Sequence, residues 1–465
     1  MKWGGLALGL AALAALPAFA EPVAEHTFTP QMSAAIDRIA EDEVHLGRTP
    51  GVAIGVVEDG RLVYARGFGF ASVAKRLRAQ PDTQFAIGEV SEEFTAGALL
   101  LLVQDGKVKL DDRVTKYVPE LTIAANVTLG ELLQQTSGLP DALKAPGIPS
   151  DLTAQVKLAD LLAAVDKMQL AATPGTAYAD NPLNYVLAGL VVERVSGVTL
   201  SDFLEQRIFI PLVMDRTLLA GDAGLEPGHA LGYTRASNGF VAVHPWSPSR
   251  LLGARGVVST IYDLAKWDIE MPILLRVDAV RDMFTAAGAD GPSKYGMGWV
   301  VDRRDGKNFV WSSGEVAGYR AMNAVLPDDH VAVIVLSNAD ALHGPASSPE
   351  QVAGRVLDIV EPPSQVRLDN AIVARAREWL VRLAQRRIDR TELSPAFSAF
   401  LTDDLVAREN FSQYGNVQTI VPISSTTESN GDTLYEFIVQ YPHETFHYKF
   451  ALTPDGKIDE IFLSP

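Results

Sequence analysis

The 465-residue chain contains no cysteine. That excludes disulfides, thiolate metal sites and a cysteine nucleophile. Basic residues are also scarce: 40 Lys and Arg face 57 Asp and Glu, for a formal net charge of −17. Nucleic-acid binding depends on basic patches, so the balance argues against a nucleic-acid partner. An apolar run stands near the start. Lys2 gives a short positive region, Leu6 to Leu16 is apolar, and Ala18-Phe19-Ala20 is a small-residue cleavage site. The run is too short to span a bilayer well. A signal peptide is therefore expected over residues 1–20, with Glu21 leading the mature chain and no transmembrane anchor. With no cysteine to lipidate, the product is expected in the periplasm or the medium.

The hydrophobic fraction of 47% and charged fraction of 21% are those of a soluble globular protein. The length accommodates two or three domains. The chain is organised around Phe85 to Leu100, FAIGEVSEEFTAGALL. This run resembles the nucleophile helix of the serine β-lactamase and penicillin-binding-protein family, roughly F-x-I-G-S-x-S-K-x-F-T-A. Phe85, Ile87, Gly88, Val90, Ser91, Phe94, Thr95 and Ala96 keep that pattern without a gap. The resemblance puts Glu89 in the nucleophile position and Glu92 in the lysine position.

The serine–lysine spacing works because residues three apart share a helix face, roughly 5–6 Å apart at Cβ. A hydroxyl is a weak nucleophile until an adjacent base activates it. Glu89 has no hydroxyl to acylate, and Glu92 has no amine to take a proton. Ser91 is expected to point about 200° around the helix from Glu89, and Thr95 to be packed. The favoured reading of the two glutamates is a pair of anions suited to a first helical turn. A sharper reading is a carboxylate pair in a pocket, one raising the pKa of the other.

The resemblance continues in order. Two β-rich runs flank Asp59-Gly60, a hairpin signal. QDGKVKLDDRVTKYVPEL follows the helix, and VTLGELLQQTSGLPD places Gln135 where the family has a histidine. Helical spacing covers 158 to 170. The family's Y-x-N motif lies between a Pro-Gly and an N-Y-x-L-x-G helix, here Pro174-Gly175 and Asn184 to Gly189. That spacing gives Asp180 for the tyrosine and Pro182 for the asparagine, with Tyr178 at a structural aromatic position. Ser259 or Thr260 is expected to cap the helix that carries Leu264 and Trp267. Tyr295 to Trp299 is expected to begin a core strand. Ser312-Ser313-Gly314 fills the [KH]-[TS]-G position, which in the family binds the substrate carboxylate and helps form the oxyanion hole. Residues 331 to 340 are expected to form the last buried strand.

The resemblance implies an α+β fold over 21–360: a β-lactamase/transpeptidase-like antiparallel sheet flanked by helices, with a helical insertion. Residues 361–367 look like a linker. Helical spacing at Leu368–Arg387 and Pro395–Val406, then strands with turns at Asn430-Gly431 and Asp455-Gly456, predict a small α+β domain over 368–465. Helices followed by a curved sheet resemble the NTF2-like or cystatin-like folds. His443-Glu444-Thr445-Phe446-His447 spells H-E-x-x-H, but Thr445, Phe446, Tyr448 and Phe450 favour a strand. On a strand the two histidines stand roughly 13 Å apart, too far for one zinc. No metal and no cofactor is expected.

With all three motifs altered, the leading expectation is an exported protein without acylation chemistry. It would bind a small molecule or peptide, possibly cell-wall derived, in the surviving pocket. The alternative is an active esterase, amidase or peptidase using Glu89, Glu92 and Asp180 as substituted chemistry. A third reading is an assembly protein that uses the C-terminal domain as its surface.

Overall fold

The computed structural model describes residues 28–219, 228–237, 239–286, 294–340, 348–362, 368–427, 431–442 and 444–464. The expected signal peptide, most of the linker, Asn430 and His443 lie outside these residues. The hairpin at Asp59-Gly60 forms as the sequence implies. Glu58 faces Arg61, and Asp59 (φ 50°) and Gly60 (φ 71°) both take the left-handed conformation that a two-residue turn needs. Gly51–Glu58 is buried along its whole length because it is an interior strand covered on both faces.

Seven antiparallel strands make the main sheet. Their order is Leu77–Arg78, Arg61–Ser72, Gly51–Glu58, Val331–Ser337, Tyr319–Leu326, Lys307–Val316 and Val300–Arg304. Alternation along each strand sorts the side chains into two cores. Val52, Ile54, Val333 and Val335 pack with Ile36 and Val356 of the Pro30–His45 and Pro349–Val360 helices. Ala53, Val57, Ile334 and Leu336 belong instead to the core that holds Phe94 and Trp267. These two residues come from the Ser91–Gln104 and Ile261–Leu274 helices. The first of these helices is buried on every side from Ser91 to Leu102; its Ala96–Leu102 stretch is apolar all round, and Glu92 and Glu93 are buried at its start. Thr260 caps the second, accepting from the Asp263 N–H at 3.2 Å.

The insertion between them is mostly helical, including Leu129–Leu133, Leu158–Val165 and Pro182–Ser196. Two expectations need correction here. The helix expected over 158–170 ends at Val165. Tyr295–Trp299 forms a turn, and the strand starts at Val300. Gly298 (φ 85°) passes so close to the buried helix that a Cβ there would stand 2.9 Å from the Glu93 Cα, which forces the chain to bend.

The C-terminal part has its own core, built on Trp379, Phe437, Tyr448 and Phe450. The helix Asn370–Ala384 precedes a four-stranded antiparallel meander: Thr419–Thr427, Thr433–Gln440, Thr445–Leu452 and Ile458–Ser464. The single helix expected over Pro395–Val406 is two, Pro395–Phe400 and Asp403–Glu409. Thr402 restarts the chain as a helix by accepting from the Leu405 N–H at 3.2 Å. His447 lies on a strand opposite Ile438, so the second half of the H-E-x-x-H run lacks the helical geometry a zinc pair needs. Among the described residues no group of three or more His, Asp or Glu is placed to hold a metal ion.

Candidate functional site

Glu89 sits in a single 3-10 turn, Gly88–Val90, just ahead of the buried helix. This turn and the Lys307–Val316 strand press together through glycine. A Cβ on Gly314 would stand 2.0 Å from the Ile87 carbonyl oxygen, and one on Gly88 would stand 2.5 Å from the Glu315 nitrogen. The closeness aims backbone N–H groups at the Glu89 side chain. The Glu315 N–H donates to Glu89 Oε2 at 2.8 Å, and the Glu89 backbone N–H also bonds its own carboxylate. On the other oxygen, Arg255 Nε donates at 2.5 Å. Burial lifts the Glu89 carboxyl above its ordinary range, against the pull of Arg255 and the two N–H groups.

Arg255 is delivered by a break in the Pro248–Arg255 helix. Leu252 there takes φ 37°, ψ −138°, a strained conformation for a branched residue. Thr95 Oγ1 fixes the following turn by donating to the Gly253 carbonyl at 2.6 Å. The Trp246 ring lies 5.6 Å from the guanidinium carbon. Nothing in the local sequence marks Arg255. The available signal is indirect: a glutamate placed in a buried motif needs a cation, and sequence does not say which one.

Glu92 does not behave as an anion of a first helical turn. It is 1% exposed, and burial raises its pKa well above the carboxylate range, with Asp180 and Glu89 adding to the rise. Its Oε2 accepts from Tyr295 OH at 2.7 Å and Gln135 Nε2 at 3.2 Å, while Oε1 is buried without a partner. The burial thus favours the protonated carboxyl, where the family pattern has a lysine amine that takes a proton. Gln135 connects the site. It takes a left-handed φ of 57° and also reaches Asp180 Oδ1 at 3.5 Å. Its Oε1 accepts from Asn184 Nδ2 at 2.6 Å and from the Asn181 N–H at 3.1 Å.

Asp180 is exposed at the rim. Pro182 is the first residue of its helix, capped by Asn181, whose side-chain amide is tied to the Leu139 and Pro140 carbonyls at 3.0 and 3.2 Å. Tyr178 stacks obliquely on Tyr295 with centroids 5.8 Å apart, as a packing aromatic does. Along the Lys307–Val316 strand, Ser312 and Gly314 share the Glu89 face, and Ser313 points to the other. Ser91 is turned away from Glu89: its Oγ accepts from the Val257 N–H at 2.9 Å. The structure therefore brings Glu89, Glu92, Asp180, Ser312 and Gly314 to one region, and supplies no activated hydroxyl at residue 89.

A second carboxyl pair lies behind the first, unanticipated from sequence. Glu93 Oε2 accepts from Trp267 Nε1 at 2.9 Å and from Asn323 Nδ2 at 3.3 Å, and the same amide donates to Asp268 Oδ1 at 2.8 Å. Burial lifts Glu93 well above the carboxylate range and Asp268 to about 7.

Comparison with known proteins bears on the fold and the family. Protein flp of Staphylococcus aureus is 25% identical over 333 residues, 67% of this chain and 64% of that protein. A D-aminopeptidase of Cereibacter sphaeroides is 28% identical over 68% of this chain and 62% of its own length. This chain thus spans under two thirds of the curated relatives it matches. Among solved structures, an octameric penicillin-binding protein homologue from Pyrococcus abyssi aligns with TM-score 0.63 and 20% identity, over 92% of this chain and 99% of that one. The D-amino acid amidase of Ochrobactrum anthropi aligns with TM-score 0.63 and 24% identity, over 71% and 99%. The Beta-lactamase family model matches residues 36–356. With more than half its length matched, the chain belongs to the Beta-lactamase family.

Proposed function

We propose that this chain is an exported, non-acylating member of the family that binds a ligand in the altered pocket. One observation carries the reading. The carboxylate of Glu89 stands where the family pattern has a nucleophile and accepts the backbone N–H of Glu315, with Arg255 neutralising it. The donors that would stabilise a reaction oxyanion are taken by the protein's own side chain. Glu92, whose burial favours the protonated carboxyl, supplies no lysine amine beside it. The names of the relatives make D-amino-acid amides, D-peptides and cell-wall peptides the first ligands to test. Export rests on the residue 1–20 pattern, and N-terminal sequencing of the mature protein is expected to begin at Glu21. The NTF2-like or cystatin-like assignment of the C-terminal domain is part of the same proposal and rests on its helix-then-meander order.

The test is intact mass after exposure to a penicillin and a fluorophosphonate, beside a variant carrying Glu89→Ser and Glu92→Lys. No adduct is expected on the natural protein. An adduct mapped to one serine, or turnover of a D-amino-acid amide, overturns the proposal. The alternative, carboxylate-based hydrolysis, draws support from the contrast between buried Glu92 and exposed Asp180, which Gln135 bridges. It requires turnover of an ester or amide that Glu92→Gln abolishes while the fold is retained.

A further inference from the structure

On the opposite face of the sheet from Glu89, a cavity of about 210 Å³ opens between the Pro349–Val360 helix and the C-terminal sheet. Its apolar side is Phe309, Trp311 and Met322, with Ala353 and Leu357. Its polar side is Arg304, Arg355, Asp358, Glu350, Thr445 and His447. Most of these charges are matched. Asp358 pairs with Arg304, and Glu350 takes Arg320 at 3.1 Å and the Ser348 hydroxyl at 2.7 Å. His447 is lowered to about 4 by burial, so its ring is neutral at pH 7.

Two donors are left over. Arg304 Nε is buried and has no acceptor among the described residues. Arg355 is 15% exposed, and its nearest anion is Glu43 Oε1 at 3.8 Å, beyond hydrogen-bond reach; Arg48 already holds that oxygen at 2.9 Å. A buried donor without an acceptor, as at Arg304 Nε, is unfavourable and calls for a partner, and Arg355 adds a second, weakly paired cation at the same wall. The third observation is Gly354. It lies inside a helix, where glycine is poorer than alanine, and a Cβ built there meets nothing within 4 Å. Helix packing therefore gives no reason for glycine. The space above it opens into the cavity.

We propose that this cavity binds a small hydrophobic carboxylate of about one aromatic ring. The carboxylate takes the free donors of Arg304 and Arg355, and the ring rests on Phe309, Trp311 and Met322. The size fits: a dry cavity of about 150 Å³ accommodates benzene. Guanidinium geometry favours a carboxylate over a neutral amide. The site joins both parts of the chain, because Thr445 and His447 come from the C-terminal sheet and the other lining residues from the main domain.

The test is calorimetric titration of the full-length protein with benzoate and with benzamide, an uncharged molecule of similar shape. Benzoate is expected to bind at one saturable site with Kd of about 1 mM or tighter, and benzamide at least about tenfold more weakly. Arg355→Gln should weaken benzoate by about tenfold or more and leave benzamide unchanged. Gly354→Leu should fill the space and abolish binding while the melting temperature holds or rises. The proposal is overturned if benzoate does not saturate, if benzamide binds equally well, or if Gly354→Leu leaves binding intact. The benzamide comparison needs no variant, so it decides the matter even where a variant fails to fold.

Discussion

Arg255 and Glu89 form an ion pair in the altered pocket, and each depends on the other. Both side chains are about one-fifth exposed, at 18% and 20%, so solvent weakens the pair relative to a fully buried one. Arg255→Ala leaves the Glu89 carboxylate with backbone donors alone. The expected loss is about 2 kcal/mol, below the roughly 3–5 kcal/mol of a fully buried pair. Adding Glu89→Gln to that variant should recover part of the loss, since the stranded charge is gone. Urea unfolding midpoints of the single and double variants check this, and an undiminished loss in the double variant would count against it.

At the scale of elements, the start of the Ser91–Gln104 helix carries two buried carboxyls, and the second faces Asp268 across Asn323. Asp268 titrates near 7 in the folded protein and near 3.9 once unfolded. Between those values the native state keeps a proton that the unfolded chain has released. Its contribution to stability is therefore complete below about pH 4 and declines as pH rises to about 7, by up to roughly 1.4 kcal/mol per pH unit. His447, lowered to about 4, acts in the opposite sense: it takes stability away as pH falls from about 6.5. Asp268→Asn should leave the Asn323 bond in place and remove the first contribution. Stability measured by denaturant at pH 4 to 7 should then fall less with rising pH than in the natural protein. Parallel profiles would refute this assignment.

Across the whole molecule, the C-terminal domain has a core that shares no residue with the two cores of the main domain. The seam between them mixes apolar contacts around Ile39, Ile359, Val421 and Ile438 with one ion pair, Arg48 to Glu444 at 2.9 Å, and neutral His447 lies 4.0 Å from Asp358. A single, partly exposed ion pair of this kind contributes little to stability. A chain ending at Pro362 is therefore expected to stay folded, with its melting temperature lowered by only a few degrees. Circular dichroism of the truncated protein checks it. Loss of the cooperative transition would mean that the seam is a structural requirement.

The sequence by itself determined the family fold, because the motifs that carry the resemblance stand in order along the chain. Asp59-Gly60 signalled a hairpin, the resemblance of Phe85 to Leu100 implied a buried helix, and the matched motifs placed Glu89, Glu92 and Ser312. The missing serine and lysine were equally legible. Tertiary structure alone decided what replaced the lost chemistry. Arg255 lies 166 residues from Glu89, and it meets the carboxylate only because a strained break at Leu252 turns it inward. Glu92 looked like a helix-start anion because position in a helix is read locally, whereas its protonation is set by the dry environment built by Tyr295 and Gln135. Asp268 and Arg355 were illegible for the same reason: their roles depend on which charges have no partner, and partners are assigned by packing over long stretches of chain.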